Sequence, residues 1–413
     1  MANPGDISIN TLTVGNLNLL NPSAAKYLEI NIYEDLINPL LLGTIDVLDE
    51  NDAIGSYQIN GKETVNFGFS VDGCNDKPNL TFNLFKNKNL DDKSSSQSGA
   101  MKHKTYTLQI VSPEIIKNES NYIQKSFNDS TSNIVKKSLE TISNRTIELP
   151  DQTKGQQRLI AQSEKVFAFL NKIKHRHVSQ KYKSSSYMLF SSRNNGKETF
   201  KFCTLEYLMD QPSKMTFRQT NTSGNKTTSY ADGMYDLIWV EAPDSFNSAT
   251  RNASATNRST YNMHTGVQQS YDKKNDSKYV VLGSNTVSST ELSTINNVPK
   301  FQKPIRTNII DPNNDISKTN VAQAHADKAG FMAHITQNTI KFAIHGNPDI
   351  KVGDVVTLDI PKKSDVDGEL GETQMNDKVL IVRLRHKIGK ITDSPRYTMI
   401  IEAVKAAYRD NIG

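Results

Sequence analysis

The sequence predicts a β-rich α+β protein with two small β-barrels, an α+β unit between them and a polar segment inserted in the second barrel. Three observations predict it. Apolar and polar residues alternate in short runs over 27–70 and again over 338–403, the period of a strand with one packed face. Between these regions, from Ser112-Pro113, the apolar spacing lengthens to that of a helix. From Asp244 to about Asp315 the chain is rich in Asn, Ser and Thr.

In the first unit (1–112), KYLEINIY carries Tyr27, Ile30 and Ile32, and GTIDVLDEND carries Ile45 and Val47, which reads as strand, turn, strand. Asn60-Gly61 predicts a type I′ hairpin, because both central residues of that turn need positive φ. Val65, Phe67 and Phe69 alternate after it, and NLTFNLFKN and HKTYTLQIVS add strands on either side of an exposed loop, DDKSSSQSGA. A sandwich or barrel results.

The second unit (113–209) is α+β. SNIVKKSLETI places Ile134, Val135, Leu139 and Ile142 at helical spacing. SEKVFAFLNKIKHRH does so with Val166, Phe167, Phe169, Leu170 and Ile173, with Ser163 as N-cap. Two strands follow, turning at Asn195-Gly196. The second barrel takes 210–243 and 316–413, beginning with MTFRQT and YADGMYDLIWVEA. NVAQAHADKAGFMAHI reads as a helix, and NTIKFAIHG, DVVTLDIP, DKVLIVRLRHKI and RYTMIIEAVKAA as four strands. Within it, HGNPDIKVGDVVTLDIP is a rim turn leading into a half-buried strand. The stretch 244–315, broken by YVVLG, is an inserted domain or a long excursion.

At 36% hydrophobic residues and a mean hydropathy of −0.56, a core forms only because the apolar residues are concentrated in these blocks. Charge is segregated. Residues 1–60 hold eight acids (Asp6, Glu29, Glu34, Asp35, Asp46, Asp49, Glu50, Asp52) against Lys26, whereas 163–201 hold nine bases against Glu164 and Glu198. Opposite fields suit subunits that dock through complementary surfaces; solvated faces on unrelated units are the plainer alternative. Cys74 and Cys203 lack metal spacing and read as free thiols of a reducing compartment. No signal peptide is expected from MANPGDISINTLTVGN, and Leu40-Leu41-Leu42 is too short to span a bilayer.

Catalytic and metal motifs fail on spacing. His175-Arg176-His177 diverge on a helix and suit a basic helix end. Asp311-x-Asn313-x-Asp315 begins like a calcium loop but has Ile316 where Gly is required and Ala322 where Glu is required. Asp365-Val366-Asp367-Gly368 suits a hairpin turn. Gly61-Lys62 and Gly196-Lys197 precede Glu and are not phosphate loops. His325, His334, His345 and His386 show no ligand spacing. We therefore expect no catalytic residues, metal or cofactor. One alternative is nucleic-acid binding through 163–201, where Tyr182, Tyr187, Phe190 and Phe200 interleave with bases; Phe190 and Phe200 also sit at alternating strand positions, the simpler core reading. Another is a peptidoglycan hydrolase: Glu63 and Asp72 have an acid spacing like that of phage-type lysozymes, but Pro78 replaces the downstream Thr.

Three stretches carry a resemblance. They are YTLQIVSPEIIKNESNYIQKSFNDSTSNIVKKSLETI, FAFLNKIKHRHVSQKYKSSSYMLFSSRNNGKETFKFCTLEYLMD, and AQAHADKAGFMAHITQNTIKFAIHGNPDIKVGDVVTLDIP with the later VLIVRLRHKI and YTMIIEAVK. In this order they resemble the baseplate hub of T-even-type contractile phages, related to the first part of type VI secretion spike proteins. The resemblance spans nearly the whole chain and is least over the lead before Tyr27 and over 244–315.

It implies two tube-type β-barrel domains per chain and a homotrimer whose six barrels form a ring. Such a ring is a non-enzymatic adaptor between a sixfold tail tube and a threefold spike. The implied partners are the trimeric spike or tail lysozyme, the tube or tube-initiator protein, baseplate wedge proteins and the tape measure protein, with DNA only in transit and no membrane insertion. The implied location is the virion baseplate, assembled in the host cytoplasm. The acidic 1–60 segment is then expected at a docking face or in the lumen, where like charge keeps DNA from sticking.

Overall fold

The computed structural model describes residues 6–21, 25–91, 104–174, 177–182, 184–219, 233–240, 255–261, 268–274, 339–360, 377–391 and 394–405. An N-terminal module contains β1 (Ser8–Val14), β2 (Leu17–Asn18), β3 (Lys26–Asp35), β4 (Leu42–Asp49), α1 (Ala53–Ser56), β5 (Thr64–Ser70), β6 (Asn79–Asp91) and β7 (Lys104–Val111). The α+β unit contains α2 (Glu114–Ser120), β8 (Tyr122–Asp129), α3 (Thr131–Leu139), β9 (Thr146–Glu148), β10 (Gln157–Lys165), α4 (Val166–Ile173), β11 (Tyr187–Asn194), β12 (Lys197–Thr204) and α5 (Leu205–Met209). A C-terminal module begins with β13 (Thr216–Gln219) and β14 (Gly233–Val240). After the separate hairpin of β15 (Ala255–Tyr261) and β16 (Gln268–Lys274), it resumes with β17 (Thr339–His345), β18 (Val355–Asp359), β19 (Asp377–Ile391) and β20 (Ser394–Val404).

The two modules repeat one topology. Their strands lie in the orders β3-β4-β7-β6-β5-β1 and β14-β17-β20-β19-β18-β13. Leaving out β2, each module places its second, third, sixth, fifth, fourth and first strands side by side, in that order. The C-terminal module closes into a six-stranded barrel through β13, which runs parallel to both β14 and β18. In the N-terminal module β1 is antiparallel to β5 and hairpins onto β2, and no ladder of described residues joins it to β3. The modules meet edge to edge instead. β3 pairs antiparallel with β19 from Arg383↔Asp35 to Gly389↔Glu29. Eight strands therefore run as one antiparallel sheet, β14-β17-β20-β19-β3-β4-β7-β6.

Alternation decides what each face of this sheet does. On β19 Leu384, His386 and Ile388 are buried, while Arg383, Arg385 and Lys387 face outward. One core runs beneath both modules, from Leu12, Phe67 and Phe82 to Phe342, Ile401 and Tyr397, and includes Met188, Phe190 and Cys203 of the β11–β12 hairpin. The other face of that hairpin gives Tyr187, Leu189, Phe200 and Phe202 to a second core with Ile134, Val135, Leu139, Phe169 and Leu170 of α3 and α4. Burial on both faces explains why YMLF reads as an unbroken apolar run.

Two local expectations need correction. Asn60-Gly61 does not join two paired strands, since β5 pairs with β1 and β6 rather than β4. There, Glu63 gathers the turn by accepting hydrogen bonds from the backbone N–H groups of Asn60, Gly61 and Lys62 at 2.9, 2.9 and 3.0 Å. Ser163 is not the N-cap of α4: it lies in β10 with φ 54° at a bulge, and Lys165 occupies the cap position without a side-chain hydrogen bond. Asn195-Gly196 does turn its hairpin, with φ 49° and 76°. The helix expected over NVAQAHADKAGFMAHI, the YVVLG stretch and most of DDKSSSQSGA lie outside the described residues. No helix of the described residues is long and apolar enough to cross a membrane.

Gly346, which donates its N–H to the carbonyl of Tyr397 at 2.9 Å, lies where an added Cβ would run into the fully buried Tyr397 ring. Gly346→Ala is therefore expected to cost about 1–3 kcal/mol through overpacking, measurable as a lower denaturant midpoint at unchanged m-value.

Candidate functional site

The charged cluster most deeply enclosed among the described residues lies behind the β3–β19 junction, where both modules and the α+β unit meet. Arg193, near the end of β11, bonds Glu34 of β3 through Nη1, Asp76 of the β5–β6 connection through Nε at 3.3 Å, and the Pro348 carbonyl through Nη2 at 3.4 Å. The side chains of Arg193 and Glu34 are each only 2% exposed. Lys351 lies 3.4 Å from Asp76 and also donates to the Arg193 carbonyl at 2.8 Å. Asp349 accepts from the backbone N–H groups of Asn75 and Asp76 at 3.1 and 2.7 Å, binding the rim turn of one module to the hairpin connection of the other.

His386 completes the cluster from β19, its Nε2 lying 3.0 Å from Glu34 and its Nδ1 2.7 Å from the Tyr397 hydroxyl. An ionised Glu34 only accepts, so Nε2 carries the hydrogen and the Tyr397 hydroxyl can donate to Nδ1. Desolvation acts to raise the Glu34 pKa, but the charge of Arg193, His386 and the Val352 N–H outweigh it and bring the carboxyl down to about 2. Burial pushes the Tyr397 phenol up.

A second buried chain of charges lies next to the first. Arg145 bridges Glu114 and Glu198, each at 2.9 Å, and Glu198 sits opposite Arg193 in the β11–β12 ladder. Desolvation dominates at Glu198 and lifts its carboxyl up to about 7, with Arg145 opposing. The first cluster holds three elements together: its acids are paired, Glu34 is held ionised, and the Tyr397 hydroxyl beside His386 is buried in the core.

The outward face of the eight-stranded sheet carries a ladder of opposite charges. Arg383 pairs with Asp35 at 3.1 Å and Glu402 at 2.8 Å; Arg385 and Lys387 pair with Glu29 at 3.5 and 3.1 Å. Of the acids of the first sixty residues, Asp6, Glu29 and Asp35 thus meet bases of the C-terminal module and Glu34 meets Arg193 of the basic segment, whereas Glu50 and Asp52 pair with Lys26 and Lys104 of their own module. Much of the segregated charge is complementary within one chain.

Sequence candidates for other chemistries disperse. Tyr187, Phe190 and Phe200 are fully buried and face the cores, while the half-buried Tyr182 packs edge-on to Tyr207 and its hydroxyl bonds Asp210 at 2.7 Å. Glu63 is committed to its turn: against desolvation, the backbone N–H bonds keep its carboxyl below the usual range, the opposite of what a general acid needs. His386 enters the central cluster, His345 lies against Tyr235 with ring centroids 5.1 Å apart and planes tilted by 40°, and His177 is buried. His175, Arg176, His325, His334, 311–316 and 365–368 lie outside the described residues. Both cysteines are free; burial, with Asp349 and Asp76 nearby, pushes the Cys74 thiol up to about 11, which favours the protonated form at neutral pH. Sequence reasoning overlooked Arg193 and Asp76, whose partners are more than a hundred residues away.

This architecture recurs in solved structures. The tail protein from Neisseria meningitidis MC58 aligns with a TM-score of 0.58 at 10% identity, covering 97% of this chain and 97% of that one. The 43 kDa tail protein of prophage MuSo2 from Shewanella oneidensis aligns with a TM-score of 0.56 at 10% identity, covering 97% and 98%. The fold is that of these tail proteins. A component of the type VI secretion system of E. coli aligns more weakly, with a TM-score of 0.45 at 9% identity over 97% of this chain and 76% of that one. No protein-family model matches the sequence, and no curated protein matches it significantly.

Two outcomes test the buried clusters. Arg193→Met strands Glu34 and Asp76 in the interior and is expected to destabilise by about 3–5 kcal/mol, whereas Glu34→Gln with Arg193→Met together recovers part of that loss. Glu34, with its lowered pKa, contributes stability above pH 4.5 that disappears as pH falls toward about 2. Glu198, with its raised pKa, contributes the reverse: stability present below pH 4.5 and lost as pH rises through about 7. Glu198→Gln should therefore raise the denaturation midpoint at pH 8 and leave it little changed at pH 4; an equal shift at both would refute the assignment.

Proposed function

We propose that this chain is a structural hub of a phage-type tail baseplate, a homotrimeric ring adapting a sixfold tail tube to a threefold spike. The observation that carries the reading is the repeated strand order of the two modules, in a fold shared with tail proteins. A chain with two like modules presents six of them when three copies surround an axis, and a rotational contact that closes on itself needs only one kind of interface. The domains of this reading are 1–112, 113–209, 210–243 with 316–413, and the insertion 244–315.

In the ring, the outward face of the eight-stranded sheet is the natural lumen wall, because the second-layer strands and the α+β unit cover the other face. Its paired charges, Arg383 with Asp35 and Glu402, and Lys387 with Glu29, leave neither sign in large excess along the ladder. A wall of this kind lets DNA pass without the counterion release that drives binding to a basic surface. Tube, tube-initiator, wedge, tape measure and spike proteins would be the partners, the channel would form part of the genome-delivery path, and the role calls for no enzymatic group.

Light scattering of the purified chain should give a three-chain mass, and averaged electron images a ring with six lobes. A single-chain mass at every concentration, up to the solubility limit, would remove this reading.

A further inference from the structure

Among the described residues, the eight-stranded sheet has two edges that are only partly covered. β5 pairs with β6 only from Asn79 to Asn83, and β13 pairs with β14 only at Gly233 and Met234. Among the described residues no strand lies outside Lys86–Asp91 of β6 or Tyr235–Val240 of β14. Both edges expose apolar side chains at bulges, Phe85 at 50%, Tyr235 at 44% and Ile238 at 42%. Open strands with exposed aromatic residues invite pairing with another strand.

From this we infer that β6 of one copy pairs antiparallel with β14 of the next, with Lys86 and Lys88 set against Asp236 across the seam. The inference rests on the ring reading above and specifies its contact. The chain already contains a precedent for it. By their places in the repeated strand order, β19 corresponds to β6 and β3 to β14, and β19 and β3 are joined antiparallel within the chain. With eight alternating strands per copy, the two edge strands run in opposite directions, so the next copy continues the same antiparallel alternation.

Charge repeats as well. The internal junction sets bases on β19 (Arg385, Lys387) against an acid on β3 (Glu29), all on the outward face. Lys86 and Lys88 lie opposite Gln109 and Thr107, and Thr107 bonds Asp46 on that same face at 2.6 Å. Asp236 lies opposite Ala343, which continues across the ladders through Ile400 to Arg385. The two lysines and Asp236 are exposed. Bases on the descending strand and an acid on the ascending one are thus present at these edges, as at the paired junction.

The test combines Lys86→Cys or Lys88→Cys with Asp236→Cys in a Cys74→Ser background, using a short bismaleimide crosslinker, denaturing electrophoresis and native mass. A covalent three-chain species from either pair supports the seam. A native trimer that separates into single chains for both pairs overturns the seam and leaves the ring reading intact, whereas a native monomer removes both. In uncrosslinked protein, Lys86→Asp with Lys88→Asp should weaken trimerisation by about fivefold per seam, the upper range for exposed pairs, and Asp236→Lys should restore it. Failure of the charge swap to restore assembly counts against the pairing.

Discussion

A single guanidinium, fixed between carboxylates from different parts of the chain, constrains the whole molecule. Arg193 reaches the junction from the α+β unit and finds Glu34 on β3 and Asp76 on the β5–β6 connection, with the Pro348 carbonyl of the C-terminal module beside it. Removing such ions from water is costly, so the arrangement persists only where every lone pair and N–H is met. His386, Tyr397, Val352 and Lys351 meet them. The outcome is orientation more than stability.

The same constraint fixes the register of the central sheet. A slip of β3 by one residue would turn Glu34 toward the outward face and carry Asp35 into the core, away from Arg383. With β3 held in place, β19 can pair with it only where Arg383 meets Asp35 and Lys387 meets Glu29. Buried and exposed charges therefore agree on a single alignment of the two modules.

The two modules share a strand order but are not identical. Both modules keep the four strands that build the shared sheet in the same order. They differ in the last strand of the second layer, β13 parallel to its neighbours and closing a barrel, β1 antiparallel and turning onto β2. There, the β11–β12 hairpin adds Met188, Phe190 and Cys203 to the common core, which ties the α+β unit to both modules.

Local patterns were legible in the sequence. The alternation of Ile30 and Ile32, of Val65, Phe67 and Phe69, and of Tyr397, Met399 and Ile401 marks strands with one packed face, and Asn195-Gly196 marks the one hairpin both of whose flanking strands it also predicts. Such features depend on neighbours within a few residues. The polar β8–β10 ribbon, with few apolar residues to reveal its period, was not legible, nor was the difference between Asn195-Gly196 and Asn60-Gly61, which depends on whether the flanking strands pair. Sequence alone determined the strand and helix periods, the β-rich units on either side of an α+β unit and the imbalance of charge. Only the tertiary structure decided that Arg193 is a buried junction residue rather than part of a solvated basic face, and that acids near the start answer bases near the end, because pairing over hundreds of residues is set by how whole sheets pack and leaves no local periodic trace.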